Sequence, residues 1–167
     1  GVLNVRCVAL AQQDMVVYEL EAVDGPAAVT ATIGTENENG SFFIIKGHED
    51  NDTVWLRKEH TSFITVNAAV AMRAVGASNV RSVYEQGFQT ALSFDVQPGQ
   101  PARLLVCIKG GKDAYHHLEN ALAALEMDGQ DARPTGEGES IDEMLAAHTE
   151  WWKDFWLRCW VDLNDPL

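Results

Sequence analysis

Four residues in one short stretch carry side-chain types that recognise sugars: Trp55, Arg57, Glu59 and His60. Sugar sites combine an apolar, usually aromatic platform with a few placed polar groups that bind hydroxyls. Alternate side chains of a β-strand share a face, so Trp55, Arg57 and Glu59 are predicted to lie together. A solvated sheet face with one half-buried tryptophan has the same pattern, and the sequence leaves both interpretations open.

Other reactive residues do not assemble into a recognisable site. The turn from Gly47 to Asp52 holds four ionisable groups but lacks the central Gly and closing Glu of an EF-hand loop, which favours a plain acidic turn. The adjacent His116 and His117 point in different directions on a helix and cannot share a metal as an i, i+4 pair does. No Gly-x-Ser-x-Gly elbow is present. We therefore assign no catalytic residue, no metal ligand and no cofactor.

The charge of the chain limits its partners. Twelve Lys and Arg against 25 Asp and Glu leave a net charge of −13, which repels phosphate backbones and anionic membrane surfaces. No apolar run reaches the ~20 residues that a membrane-spanning helix requires. We expect neither a nucleic-acid partner nor a membrane span. Because the chain begins at Gly1 without Met, we expect an excised piece of a longer protein.

The elements that must position these residues are mostly strands. Val2 to Leu10 and Met15 to Ala22 flank a polar turn and predict a hairpin. Eight or nine strands, the last from Arg103 to Lys109, are separated by turn signals and predict an antiparallel β-sandwich. Apolar residues at helical spacing then predict a first helix from Asp113 to Met127. The three cysteines lie among apolar residues and are predicted to be buried free thiols, with a disulfide between two of them as the alternative.

The helix predicted from Ser140 to Trp160 contains four of the five tryptophans. Ser140 and Glu143 have the spacing of a capping box, which marks where the helix begins. Apolar residues cover most of the circumference, so the helix needs burial on more than one side. We expect at least two of its central aromatic residues to pack in the sandwich core and the others to face a second partner; these residues are Trp151, Trp152, Phe155 and Trp156.

The fold class predicted is therefore mainly β: an antiparallel, super-sandwich-like β-sandwich with two C-terminal helices, the last a Trp-rich linker helix. We divide the chain into a sandwich domain with a closing helix (1–127), a linker rich in Gly (128–139), and the Trp-rich helix with the start of a following segment (140–167).

The end of the chain resembles a known family. The run His148-x-x-Trp151-Trp152-x-x-Phe155-Trp156-x-Arg158-x-Trp160-Val161-x-Leu163 resembles the junction in large bacterial glycoside hydrolases that are similar to α-L-fucosidases. In those proteins a helical linker joins an N-terminal β super-sandwich to an (α/α)6 catalytic barrel. The order of a strand ending in Gln97-Pro98-Gly99, a strand Leu104-Leu105-Val106 and a helix is also similar to how that sandwich finishes.

The resemblance implies a non-catalytic domain of a secreted or periplasmic bacterial enzyme. The acid and base carboxylates of the family lie in the barrel, so no catalytic residue maps onto this chain. The implied partner is the catalytic domain of the same polypeptide, packed against His148, Trp151, Trp152, Phe155 and Trp156. Two alternatives stay open: a free carbohydrate-binding module that takes an oligo- or polysaccharide through Trp55 and its neighbours, and an oligomerisation domain that pairs through the helix.

Overall fold

The computed structural model describes residues 1–11, 13–35, 43–60, 66–84, 87–111, 116–126 and 140–158, with the backbone alone at positions 60, 66 and 84. These residues form nine strands and two helices. They are β1 (Leu3–Ala9), β2 (Met15–Ala22), β3 (Ala27–Gly34), β4 (Phe43–Glu49), β5 (Thr53–His60), β6 (Val66–Val75), β7 (Ser78–Tyr84), β8 (Gln89–Val96), β9 (Ala102–Gly111), α1 (His117–Leu125) and α2 (Ile141–Arg158).

The strands form two antiparallel sheets. The larger has six strands in the order β1-β2-β9-β6-β5-β4, and the smaller has three in the order β3-β8-β7. The predicted hairpin is β1 and β2, in which Val8 lies opposite Val17. β2 then pairs with β9, and β6 pairs with both β9 and β5. The fold class predicted from the sequence, a mainly β antiparallel sandwich with two C-terminal helices, is confirmed.

The central strands of the six-stranded sheet are buried on both faces of the sheet, which we call inner and outer. The inner face packs against the three-stranded sheet, around Leu20, Met72 and Phe94. The outer face packs against the helices, where Leu105 and Leu125 are buried. Because side chains alternate between the faces of a strand, the central strands carry apolar residues at consecutive positions and not only at every second one.

Small residues on β6 let α1 approach the outer face closely. Ala69 and Ala71 lie on this face and are almost fully buried. α1 contacts β6 and β9 and places Ala121 and Leu125 in the outer core. Its C-terminal end is held by Arg73, whose Nη1 donates to the carbonyl of Leu125 over 3.3 Å. The helix therefore covers the middle of the sheet and leaves the outer face of β4 uncovered.

α2 is attached to the sandwich through its first half. The predicted capping box is present: the backbone N–H of Ser140 donates to Oε2 of Glu143 over 2.7 Å, and the Glu143 N–H donates to the Ser140 hydroxyl over 3.3 Å. Ile141 and Met144 are buried in the outer core. Arg103 on β9 forms an ion pair with Asp142 in the first turn.

The predicted burial is wrong for Cys7, whereas its thiol is free as predicted. Cys107 is buried in the outer core, and this burial raises the pKa of its thiol. Cys7 is exposed, because β1 lies at the edge of a six-stranded sheet that three strands cover only in part. Among the described residues both thiols are free. The third cysteine and the predicted linker 128–139 lie outside the described residues.

Candidate functional site

β5 brings three of the predicted sugar-contact residues to one place. Trp55, Arg57 and Glu59 alternate along the strand and share its outer face, where their partners on the edge strand β4 are Gly47, Ile45 and Phe43. Trp55 packs against the outer core, whereas Phe43 is 65% exposed. His60 ends β5, and its side chain lies outside the described residues.

The indole of Trp55 lies across the backbone of Gly47. A Cβ atom at position 47 would come within 2.5 Å of the indole Cζ2, which is closer than real Cβ contacts come. Only glycine leaves enough space for the ring to reach over the edge strand in this way. The local sequence thus positions an aromatic ring between the outer core and the uncovered part of the sheet.

Arg57 and Glu59 form an ion pair on the same surface. Arg57 Nε lies 2.9 Å from Glu59 Oε1, and both side chains are about one-third exposed. The two atoms are within contact distance, but the direction of the N–H bond does not meet the geometry of a hydrogen bond. The two charges therefore compensate each other.

Several buried polar atoms on the outer side of the six-stranded sheet lack a hydrogen-bond partner. Within the described ranges, four buried side-chain atoms have no hydrogen-bond partner: Trp55 Nε1, Arg57 Nε, Asn67 Oδ1 and His117 Nε2. Asn67 lies on β6 opposite Glu59. An unpaired buried polar group costs roughly 1–3 kcal/mol, so native proteins rarely keep several together without a reason.

His117 places the start of α1 beside the same strands. Its side chain is only 6% exposed. A Cβ atom on Gly111 would lie 3.9 Å from the Cε1 atom of His117, and Gly111 pairs with Asn67. We call Trp55, Arg57, Glu59, Asn67 and His117 the outer-face cluster. Sequence reasoning missed Asn67 and His117, although a polar residue at the start of the apolar β6 run is a signal for Asn67.

The second candidate surface is a row of aromatic rings on α2, the aromatic ridge: His148, Trp151, Trp152, Phe155 and Trp156. Trp151 stacks on Phe155 with ring centroids 5.4 Å apart, and Trp152 stacks on Trp156 at 6.2 Å. These pairs follow from the i, i+4 spacing, which puts residues on one side of a helix.

The ridge faces solvent instead of the sandwich core. Trp152, Phe155 and Trp156 are 38%, 36% and 60% exposed, and Trp151 is half-buried. The expectation that at least two of these four residues pack in the core is therefore wrong. The helix buries only residues of its first turns, and its aromatic residues cover one another.

His148 marks the boundary between the two halves of α2. Its Nδ1 accepts a hydrogen bond of 3.1 Å from the backbone N–H of Ala11, and its ring meets the edge of Trp152. Beyond it, the hydrogen bonds and ion pairs of the described residues stay within the helix, as between Arg158 and Asp154 at 3.1 Å.

The acidic turn after β4 is engaged in structural contacts. Asp52 pairs with Arg73 at 3.0 Å and accepts a hydrogen bond from the Thr53 hydroxyl. Nδ1 of His48 lies 3.1 Å from the carbonyl oxygen of Asp50. In the part of the chain that the structure describes, no three His, Cys, Asp or Glu side chains are grouped as metal ligands would be.

No helix among the described residues is long and apolar enough to cross a bilayer. No protein-family model matches the chain, and no curated protein matches it.

Proposed function

We propose that this chain is a non-catalytic β-sandwich domain of a carbohydrate-active enzyme, a glycoside hydrolase with its chemistry in a neighbouring domain. The domain packs against the catalytic barrel of the same polypeptide and supports it. The observation that carries the proposal is the exposure of the aromatic ridge on the half of α2 that extends beyond His148.

The ridge has the composition of an interface centre. Trp is enriched among the residues that contribute most to protein association, and aromatic rings lose little conformational entropy when they are covered. Burying one large apolar side chain contributes about 1.5–3 kcal/mol. Covering Trp152, Phe155 and Trp156 together would therefore supply a substantial part of a stable interface.

The choice of partner rests on the resemblance of the run from His148 to Leu163 to the junction of glycoside hydrolases similar to α-L-fucosidases. In such an arrangement the first half of α2 belongs to the sandwich and the second half belongs to the interface. The exposure of the aromatic residues after His148 supports this division of α2 into two halves. Bacterial origin and a periplasmic or secreted location are parts of the same proposal.

The test is to read the coding sequence around these 167 residues and express the domain that follows. We expect a helix-rich domain that binds this chain, and we expect Trp152→Ala with Trp156→Ala to weaken binding at least tenfold. Phe88→Ala, at an exposed aromatic residue of the small sheet's turn, is the matched control. A following domain that is not helical would contradict the proposal, and so would binding that is unchanged by the substitutions at Trp152 and Trp156. Self-association of the chain through α2, measured by light scattering, would also contradict it.

A further inference from the structure

We infer that a further β-strand of the same polypeptide pairs with the open edge of β3 and covers the adjoining part of the inner face of the six-stranded sheet. The inference rests on the proposed function in one respect, that this domain belongs to a longer polypeptide, and it uses no residue of α2. It starts from apolar side chains that the three-stranded sheet leaves exposed. Val5 on β1 is 56% exposed, and Ile108 on β9 is 54% exposed.

Both exposed residues point to the inner face. Val5 lies opposite Leu20, which is buried in the inner core. Ile108 is two positions from Val106, which packs against the same core, so it points to the same side. Half-buried Val16 lies opposite Val106 on β2. Neighbouring inner-face residues thus form a continuous row across β1, β2 and β9, which we call the uncovered strip: Val5, Cys7, Tyr18, Val16 and Ile108.

β3 is the strand of the small sheet that borders the uncovered strip. Lys58 on β5 donates to the hydroxyl of Thr35, directly after β3, over 3.1 Å, whereas Lys46 on β4 donates to the carbonyl of Gln89 in β8 over 2.8 Å. In the register of the large sheet, Lys46 shares a row with Ile108, and Lys58 lies in the next inner-face row toward the end of β9. β3 therefore crosses the large sheet on the Ile108 side of β8, and its free edge faces the strip.

The free edge of β3 lacks the features that keep sheet edges from pairing. Natural edge strands are protected by charged residues, Pro, β-bulges or short length. The other three edge strands, β1, β4 and β7, carry Arg6, Lys46 and Arg81, and β7 also has an irregular register after Ser78. β3 has eight residues, none of them charged, and within the described ranges it pairs with β8 alone. Such an edge favours the addition of a strand.

The space beside β3 fits one strand better than a second copy of this chain. The large sheet continues beneath this space, so a second sandwich would meet β1 and β9 before its own β3 could pair. The net charge of −13 also disfavours self-association. A single added strand would lie about 10 Å above the strip, the usual spacing of packed sheets, and its alternate side chains would cover Val5 and Ile108.

The same edge indicates the source and chemistry of the strand. An unprotected edge is an aggregation hazard whenever it is open, which favours a strand that is always present in the same polypeptide over a transient partner. Because one face of the strand lies on the uncovered strip, we expect apolar residues at every second position. Its other face meets solvent and is expected to be polar.

The experiment compares the 167-residue chain with the longer natural polypeptide. The probe is the synthetic peptide Lys-Lys-Val-Thr-Val-Thr-Val-Thr-Val-Thr-Lys-Lys, and the control peptide has the same composition and charge with its Val and Thr in two blocks. In the 167-residue chain we expect the probe to shift the methyl NMR signals of Val5 and Ile108 and to slow amide exchange in β3, with about tenfold weaker binding of the control. In the longer polypeptide, we expect the β3 amides to exchange slowly without any peptide and the probe not to bind.

Two variants with the same change of charge test the place of binding. Ile108→Asp puts a carboxylate into the uncovered strip, and we expect it to weaken binding of the probe about tenfold. Ile45→Asp is the matched control, because Ile45 is 43% exposed on the outer face of β4 and lies away from the strip. Equal binding by the two variants would overturn the inference.

The other outcomes are equally decisive. The inference is overturned if the probe does not bind the 167-residue chain, or if both peptides bind it equally. Binding of the probe to the longer polypeptide with the same affinity would assign the strand to a separate protein, and a dimer that Ile108→Asp dissociates would assign it to a second copy. Either result overturns the inference. If the following domain fails to bind the aromatic ridge while the β3 amides are protected in the longer polypeptide, the proposed function fails and this inference stands.

Discussion

The backbone N–H of Ala11 donates to the imidazole Nδ1 of His148 across 137 positions of sequence. This bond joins the turn between β1 and β2 to the middle of α2. It is the point at which the helix changes from a docked segment into one that extends past the sandwich. Its loss should therefore affect the direction of the ridge more than the stability of the sheets.

Replacing His148 by Ala removes the acceptor for the Ala11 N–H. The bond is exposed, so we expect a loss of only about 0.5–1.5 kcal/mol in unfolding free energy. Hydrogen exchange should nevertheless accelerate along α2 from Leu145 onward, because the last anchor to the sandwich is gone. Thr149→Ala is the control, since the Thr149 hydroxyl bonds within the helix to Leu145. Equal exchange in both variants would show that the His148 bond does not hold the helix.

Replacing a large side chain by Ala should cost more stability in the first half of α2 than in the second. Met144 is buried, and Met144→Ala should cost about 2–5 kcal/mol because it leaves a cavity in the outer core. Trp156 is 60% exposed, and Trp156→Ala should cost less than about 1 kcal/mol in the isolated chain. Urea unfolding followed by circular dichroism measures both. A large cost at Trp156 would mean that the ridge packs on the sandwich after all.

The start of α2 should weaken in acid. Hydrogen bonds from the backbone N–H and then the hydroxyl of Ser140 lower the pKa of the Glu143 carboxyl. A lowered folded-state pKa means that the charged form stabilises the folded state. This stabilisation is present above the ordinary pKa of 4.5 and is lost as the pH falls through the lowered value.

Amide exchange of residues 140–144, measured from neutral pH into acid, tests this directly. Glu143→Gln keeps a side chain that can accept the same bonds but removes the titration, so the pH dependence of the first turn should disappear. Glu150→Gln changes a carboxylate that pairs within the helix and serves as the control. A first turn whose exchange follows pH equally in wild type and Glu143→Gln would refute the assignment.

Gly47 should be intolerant of even the smallest side chain. Gly47→Ala forces the indole of Trp55 to move, and overpacking of this kind costs about 1–3 kcal/mol. Gly110→Ala is the matched control on β9, where the added Cβ meets its nearest atoms at 3.4 Å, close to ordinary contact distance. In a Trp55→Leu background the penalty at position 47 should shrink. Equal unfolding free energies for the two alanine variants would show that the position of the Trp55 ring does not require glycine at position 47.

Local patterns in the sequence were sufficient for features that depend on one element. The period of two along β5 predicts that Trp55, Arg57 and Glu59 share a face, and the spacing of Ser140 and Glu143 predicts the start of α2. Both are confirmed by the structure. The roles of Trp55, Arg57 and Glu59 in sugar binding stay predictions.

Features that depend on neighbours in space could not be predicted. Asn67 and His117 join the cluster only because β6 lies beside β5 and because α1 begins near the end of β9. The exposure of Cys7 follows from the difference in size between the two sheets. Helical periodicity showed how much apolar surface α2 carries, but it could not show that the helix leaves the sandwich before its aromatic residues.

The pairing of β2 with β9 has a consequence for folding. Within the six-stranded sheet as described, the N-terminal hairpin pairs with β9, more than 80 positions later in the chain. Such non-local pairing slows folding because a long loop must close first. During synthesis the edge of β2 stays open until residues 102–111 have been made, which leaves the nascent chain with an unpaired strand that can join another molecule. Pairing with β9 is the step that closes this edge of β2.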